Sequence, residues 1–268
     1  MDDTTRYTLC AINRRFYRQS SQQFSDTRSR PWPGWIEVVN RPPFAGPQHS
    51  RRSTPVRVLD VGCGNGRFAR FLDHRLEIPI SYFGIDSSPD LVRIARRQLE
   101  SCRLREIDIR ELDILESDLS EIVGPQGFDV IVVFGVLHHL PGFSSRQSLL
   151  KRLESVLSDS GILALSFWQF EGAVQDTSRF VPWSQLTRWG FEAVDLGDLE
   201  VGDHLLRWGP DSPSDRPGSP LSVRYCHHAS DEEVERLIEP LNLRREQCFR
   251  ADGSDGRSNR YDLLRRIG

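Results

Sequence analysis

Short apolar runs, each halted at a glycine or an acid, constrain the folding of this 268-residue chain more than any other feature. They are VRVLD at 56–60, SYFGI at 81–85, a shorter run at 109–112 ending at Asp113, and FDVIVVF at 128–134, with GILALSF at 161–167 as a fifth. Helix-patterned stretches follow three of them: RFARFLDHRL, LVRIARRQLE behind an SSPD capping signal, and residues 144–157. A run as continuous as FDVIVVF suits a strand buried on both faces. Strands alternating with helices at these spacings predict an α/β fold with a mostly parallel sheet. Two late candidates, 243–249 and 259–264, would close that sheet with an antiparallel hairpin.

The rest of the chain is arranged around this section, and the whole reads as one domain, 1–268. Residues 1–55 form an N-terminal helical arm on the substrate side. Its helix is expected over 5–24, with Leu9, Ile12, Phe16 and Tyr17 on one face, followed by a short second helix around Trp35, Ile36 and Val39. Residues 56–167 are the ligand-binding core. Residues 168–229 carry Trp168, Trp183, Trp189 and Trp208 and the proline-rich stretch GPDSPSDRPGSP, and read as an inserted cap. Residues 230–268 hold the closing helix, led by Ser230 with Asp231, Glu232 and Glu233 in its first turn, and the hairpin.

Most of the chemistry sits in Asp60-Val-Gly62-Cys-Gly64-Asn-Gly66, between a strand and a helix. Glycines there permit a tight turn and let a ligand approach the backbone beside a helix N-terminus. Asp86 ends the second strand, where a carboxylate takes ribose hydroxyls, and Asp113 ends the third, where an acid accepts from an adenine amino group. The fourth strand opens onto Gly135-Val-Leu-His138-His139 beside the same crevice. A pyrophosphate would be repelled by Asp60, and the spacing is G-x-G-x-G rather than G-x-G-x-x-G. S-adenosylmethionine has no phosphate and carries an ammonium and a sulfonium, so acids beside the loop suit it.

DVGCGNG, SYFGIDSS, ELDIL and FDVIVVFGVLHHLP resemble the first four motifs of the class I S-adenosylmethionine-dependent methyltransferases. The resemblance implies a Rossmann-like seven-stranded sheet and a cofactor set of Asp60, Gly62, Cys63, Gly64, Asp86, Ser87, Asp113, Ile114 and Gly135. FSDTRSRPWP (24–33), VLHHL (136–140), VGDHLLRW (201–208) and RYCHHASDEEVERLI (224–238) resemble, within that class, the enzymes that esterify 5-carboxymethyluridine at the tRNA wobble position. That family usually has an aromatic residue at the position of Cys226 and often Trp at the position of Arg260. The resemblance further implies tRNA as partner and, as in eukaryotic members, a small zinc-binding activator protein.

A carboxylate acceptor is already ionised at neutral pH, so such a site needs no base, only donors that fix the carboxylate in line with the methyl group. Arg28, His138, Arg224 and His227 are the candidates, Arg for its bidentate fork. Metal is not expected, because Cys226, His227 and His228 are neighbours and alternate faces on a strand. The alternative reading is an O-methyltransferase for a small carboxylate or hydroxyl metabolite, and a further one is a cofactor-binding scaffold without activity. Charge bears on the choice. Net charge is only -3, yet residues 1–52 hold nine Arg against four acids and residues 241–268 seven Arg against four, leaving an acidic middle. The basic ends fit a polyanion, with Arg14, Arg15, Arg18, Arg28, Arg30, Arg51 and Arg52 as phosphate contacts and Trp32 as a stacking surface. No apolar run is long enough to span a membrane, the N-terminus lacks a signal-peptide pattern, and five scattered cysteines show no C-x-x-C pair; a cytoplasmic protein is expected.

Overall fold

The computed structural model describes residues 1–46, 54–119, 122–124, 126–170, 179–208 and 223–267. Helices α1 (Asp3–Thr27) and α2 (Gly34–Val39) precede an alternating series: β1 (Val56–Val61), α3 (Arg67–Arg75), β2 (Ile80–Asp86), α4 (Pro89–Leu99), β3 (Glu106–Glu111), β4 (Phe128–Val133), α5 (Phe143–Ser155) and β5 (Leu157–Trp168). After it come β6 (Phe180–Val181), β7 (Asp203–Arg207), β8 (Val223–His227), α6 (Asp231–Ile238), β9 (Leu243–Ala251) and β10 (Asn259–Arg266). Ser88 and Ser230 cap α4 and α6, accepting from the Leu91 and Glu233 amides at 3.3 and 3.1 Å, as their sequences suggest.

Seven strands form one sheet in the order β3-β2-β1-β4-β5-β10-β9, parallel from β3 to β5 and antiparallel at β10 and β9. The expected hairpin is therefore present. The strand order reverses between β1 and β4, where an open α/β sheet leaves a crevice at the carboxyl ends of its strands. Helices α2, α3 and α4 cover one face through Trp35, Phe68, Leu72, Val92 and Ala95; α5 and α6 cover the other through Leu149, Leu153, Val234 and Leu237. Burial of the Phe, Leu and Val side chains among these contributes about 1.5–3 kcal/mol each. Two strands start several residues earlier than expected: β5 at Leu157 rather than Gly161, and β3, which is mostly charged, at Glu106 rather than Ile109. Strand β3 lies at the sheet edge, where charge is tolerated and guards against pairing with other chains.

The described residues of the cap hold more regular structure than their sequence suggests. Strands β6, β7 and β8 form a separate antiparallel sheet, which packs on α1 through Leu9, Ile12, Leu205, Val223 and Tyr225. The arm and the cap are thus one layer. The Asn13 side chain caps the free edge of β8, its Oδ1 accepting from the Tyr225 amide at 2.9 Å. The proline-rich stretch at 209–222, and Arg51 and Arg52, lie outside the described residues.

A buried ion cluster fastens this layer to the sheet. Arg146 on α5 is 1% exposed and donates to Leu140 O at 2.8 Å and to Glu200 and Glu233 at 2.6 Å each. Glu233 also meets His227 Nε2 at 2.8 Å, and His227 Nδ1 meets Asp203 at 2.7 Å. A second cluster explains Arg260, which takes the place of the family's common Trp: its guanidinium is held by Asp231, Glu235 and Asp262. The two ends of the chain also meet. The Gly34 amide donates to Asp252 Oδ1 at 3.0 Å across 218 positions, and Tyr261 lies so close over Gly34 that a Cβ there would sit 2.5 Å from its ring.

Candidate active site

At the crevice lies a cavity of about 440 Å³, lined by the glycine loop, the ends of β2, β3 and β4, and residues of α1, β5 and β8. Every residue of the expected cofactor set lines it: Asp60, Gly62, Cys63, Gly64, Asp86, Ser87, Asp113, Ile114 and Gly135. The glycine loop is stitched to β2, with Gly62 and Cys63 amides donating to Ile85 O at 2.8 and 3.0 Å. Gly62 has φ of +72°, and a Cβ there would lie 2.2 Å from Val136, so both conformation and space require glycine. Asp86 accepts from the Gly64 and Ser88 amides at 2.9 and 2.8 Å; burial still pushes its carboxyl above the ordinary range. Asp60 is buried and receives the Tyr82 hydroxyl. Burial, reinforced by Asp86, raises it to about 7. Two carboxyls starved of positive charge suit a cationic, hydroxyl-bearing ligand.

Asp113 has a partner the sequence did not announce. Its Oδ1 accepts from the Leu115 amide at 3.0 Å, and its Oδ2 from Arg14 at 2.8 Å. Arg14 also reaches Glu116 at 2.9 Å, so α1 is clasped to the cofactor side of the cavity. Arg15 lies over Phe191 and donates to Trp189 O. Arg14 and Arg15 thus make contacts within the fold while staying partly exposed; Arg18 and Arg30 are exposed.

The other half of the cavity is cationic and aromatic. Arg28 sits over Phe24, 5.0 Å from the ring centroid, and Arg224 over Trp168 at 5.2 Å. Among the described residues neither guanidinium has a carboxylate partner, and Arg224, 7% exposed, has no acceptor for its Nε. Burial and the nearby Arg224 both push the Arg28 pKa down. Arg67, at the start of α3, lies 4.9 Å over both Trp32 and Trp35; burial and then Arg28 lower it to about 10. His138 packs edge-on to Trp168 with ring centroids 5.1 Å apart, and its Nδ1 has no partner among the described residues. Burial foremost, then His139 and the arginines, holds it well below its ordinary value, so it is neutral. His139 has a structural place: Nδ1 donates to Tyr225 O at 3.0 Å, leaving Nε2 to accept from Tyr17 Oη at 2.8 Å.

Of the four acceptor candidates, then, Arg28, His138 and Arg224 converge on the cavity. His227 does not, and its assignment is corrected. Along β8 it faces away from Arg224, is 1% exposed, and spends both ring nitrogens on Asp203 and Glu233. Burial opposes its protonation, but the two carboxylates together outweigh it and raise its pKa. Cys226 faces the opposite way, toward Phe170 and Leu206, as strand alternation requires. Sequence reasoning did not identify Asn65, Arg67 or Tyr17 as cavity residues. Arg67 follows the last glycine of the loop directly, and that adjacency was the available signal.

Residues 59–163 match the family described as "Methyltransferase domain". A chain of Encephalitozoon cuniculi, named as a methyltransferase, is 31% identical over 168 residues, covering 63% of this chain and 67% of that one. The protein belongs to the S-adenosylmethionine-dependent methyltransferases. Its cofactor is S-adenosylmethionine, in keeping with the acids and glycines that line the cavity. The methyltransferase is also similar to the mouse tRNA (carboxymethyluridine(34)-5-O)-methyltransferase, 26% identical over 239 residues, or 87% of this chain and 32% of that one. To the trans-aconitate 2-methyltransferase of Escherichia fergusonii it is 32% identical over 142 residues, 53% of this chain and 46% of that one. The chain spans about a third of the length of the curated tRNA relatives from mouse and cattle that it matches. A solved methyltransferase of Methanosarcina mazei shares the fold, with a TM-score of 0.57 at 17% identity over 83% of this chain and 98% of that one. Among the described residues no helix of the methyltransferase is long and apolar enough to cross a membrane.

Proposed function

We propose that this methyltransferase esterifies a carboxylate, and that the carboxylate belongs to 5-carboxymethyluridine at the tRNA wobble position. The observation that carries the reading is the pair Arg28 and Arg224, held in the cavity without a carboxylate among the described residues to neutralise them. Two cations left unpaired at a partly desolvated site are stabilised by an anionic ligand, and their planar forks match a carboxylate. The names of two relatives are consistent with this, since carboxymethyluridine and trans-aconitate are both carboxylic acids.

S-adenosylmethionine, when bound, supplies a methyl group activated by its sulfonium. The chain's share of the chemistry is then positional. Asp60, Asp86 and the glycine loop hold the cofactor, while Arg28 and Arg224 orient the acceptor. A carboxylic acid with pKa near 4 is ionised at pH 7, so no side chain has to remove a proton. Neutral His138 offers the acceptor a hydrogen bond without a further charge, and Trp32, Phe24 and Trp168 provide surfaces against which a base can stack.

The trans-aconitate relative favours a second reading, in which the acceptor is a small polycarboxylate. Labelled S-adenosylmethionine is incubated with the protein and bulk tRNA from a strain lacking the ester. Label that enters RNA and leaves it under mild base supports the tRNA reading, since esters hydrolyse. Unlabelled RNA, with label passing to trans-aconitate in a parallel reaction, replaces it with the second.

A further inference from the structure

We propose that Asn65, inside the glycine loop, is a positioning residue for the acceptor-holding arginine: it ties the backbone that carries Arg28 to the loop that receives the cofactor. The inference rests on the carboxylate reading above and deepens it. Asn65 stands between Gly64 and Gly66, and its side chain is 4% exposed. Its amide nitrogen lies 3.0 Å from Ser25 Oγ, 3.3 Å from Ser25 O and 3.4 Å from Arg28 O, so both its protons are spent on the chain itself.

These contacts fall where α1 ends. Ser25 O also accepts the Arg28 amide at 2.9 Å, and Arg28, with φ -111° and ψ 51°, is where the chain leaves the helix. Carbonyls at a helix C-terminus need partners from outside the helix, and Asn65 supplies one from 37 positions away. Gln98 on α4 adds a longer contact to Ser25 Oγ at 3.4 Å. The Arg28 guanidinium has only the Phe24 ring to steady it among the described residues. Its place is therefore set by its backbone, and its backbone is set by Asn65. The residue type matters: an aspartate of the same shape would turn oxygen toward the Ser25 and Arg28 carbonyls and donate nothing. Cofactor loop and acceptor arginine consequently move as one piece.

A double-mutant cycle with wild type, Asn65→Ala, Arg28→Ala and the pair tests this, using tRNA from an ester-lacking strain as acceptor and S-adenosylhomocysteine as cofactor probe. Asn65→Ala should raise the tRNA KM about tenfold, the scale of one or two lost hydrogen bonds, with S-adenosylhomocysteine affinity within about twofold and kcat moved less than KM. In the Arg28→Ala background the same change should add less than about twofold. Full additivity, or an equal loss of S-adenosylhomocysteine affinity, overturns the inference. If Arg28→Ala alone leaves the tRNA KM unchanged, the carboxylate reading fails instead. Hydrogen exchange then decides on Asn65 without any acceptor: amides 25–30 should exchange about tenfold faster in Asn65→Ala, and unchanged protection refutes it. Should Asn65→Ala not fold, Ser25→Ala removes the nearest acceptor and should raise the tRNA KM about two- to threefold; no rise overturns the inference.

Discussion

Replacing Arg146 with methionine should be among the most destabilising single changes available in the described part of the chain. The side chain is 1% exposed and makes three hydrogen bonds, one to Leu140 O and one each to Glu200 and Glu233. Methionine fills most of the volume but leaves two carboxylates facing His227 and Asp203 without their shared cation. Glu200 is a quarter exposed and can be rehydrated, so Glu233, at 9%, dominates the cost. Breaking a buried pair from one side costs about 3–5 kcal/mol, which in a chain of this size lowers Tm by roughly 10–15 °C. The sign of the pH dependence follows from Glu233. Although burial opposes it, His227 and Arg146 hold its pKa below the ordinary value. Its contribution is therefore present above the unfolded carboxyl value, about 4.3, and is lost as pH falls through the folded one. In Arg146→Met that depression weakens, and the orphaned carboxylates can take up protons in mild acid. The deficit should accordingly be largest near pH 7.5 and shrink by at least about 1 kcal/mol at pH 5.5. Urea unfolding of both proteins at the two pH values measures it. A deficit under about 1 kcal/mol, or one independent of pH, would refute the account of this cluster as a charge-balanced clamp.

Three further outcomes are expected. Arg224→Gln should cost roughly 10–100-fold in kcat/KM for the acceptor, the scale of a charged hydrogen bond, with S-adenosylhomocysteine affinity unchanged; calorimetry and initial rates separate the two. Binding of S-adenosylmethionine near pH 7 should release up to about half a proton, because Asp60 sits close to its midpoint of about 7 and a cationic ligand favours its ionised form. Asp60→Asn should abolish that release, read as the buffer dependence of the binding enthalpy. At saturating cofactor, kcat/KM for the acceptor should be flat between about pH 6 and 8, since His138 is already neutral there; a fall centred near its ordinary value of 6.5 would show a proton-transfer role instead.

The parallel strands were legible because burial on both faces leaves an unbroken apolar run, as in Phe128–Val133, and because Asp60 falls one residue before the end of β1 and Asp86 ends β2 at the site itself. The edge strand β3 was misplaced by three residues because only Ile107 and Ile109 break its charged pattern. The cap sheet was not read at all. Strand β6 has two residues, and the pairing of Asp203 with His227 joins positions 24 apart. Local periodicity carries little of either. His227 was assigned to the site because sequence shows a residue's type but not which side of a strand it occupies; the alternation that discounted a metal there also turns His227 away from Arg224. Arg14 shows the same limit for charge. Its count among the basic residues of the arm was correct, but its partners Asp113 and Glu116 lie about 100 positions away.

The contact between Gly34 and Asp252 has a consequence for how the protein is made. The arm that carries Arg28 and Trp32 leaves the ribosome well ahead of Asp252, the residue against which it docks, 218 positions later than Gly34. At about 5–20 residues per second, the 218 positions between them correspond to roughly 10–45 s during which the arm exists without its seat. Tyr82, Val130 and the other central strand residues are all synthesised within that interval. The parallel strands β1 to β5 can therefore pair before the acceptor chamber closes, and a nascent chain halted ahead of Asp252 would hold the glycine loop complete beside an arm still waiting to dock.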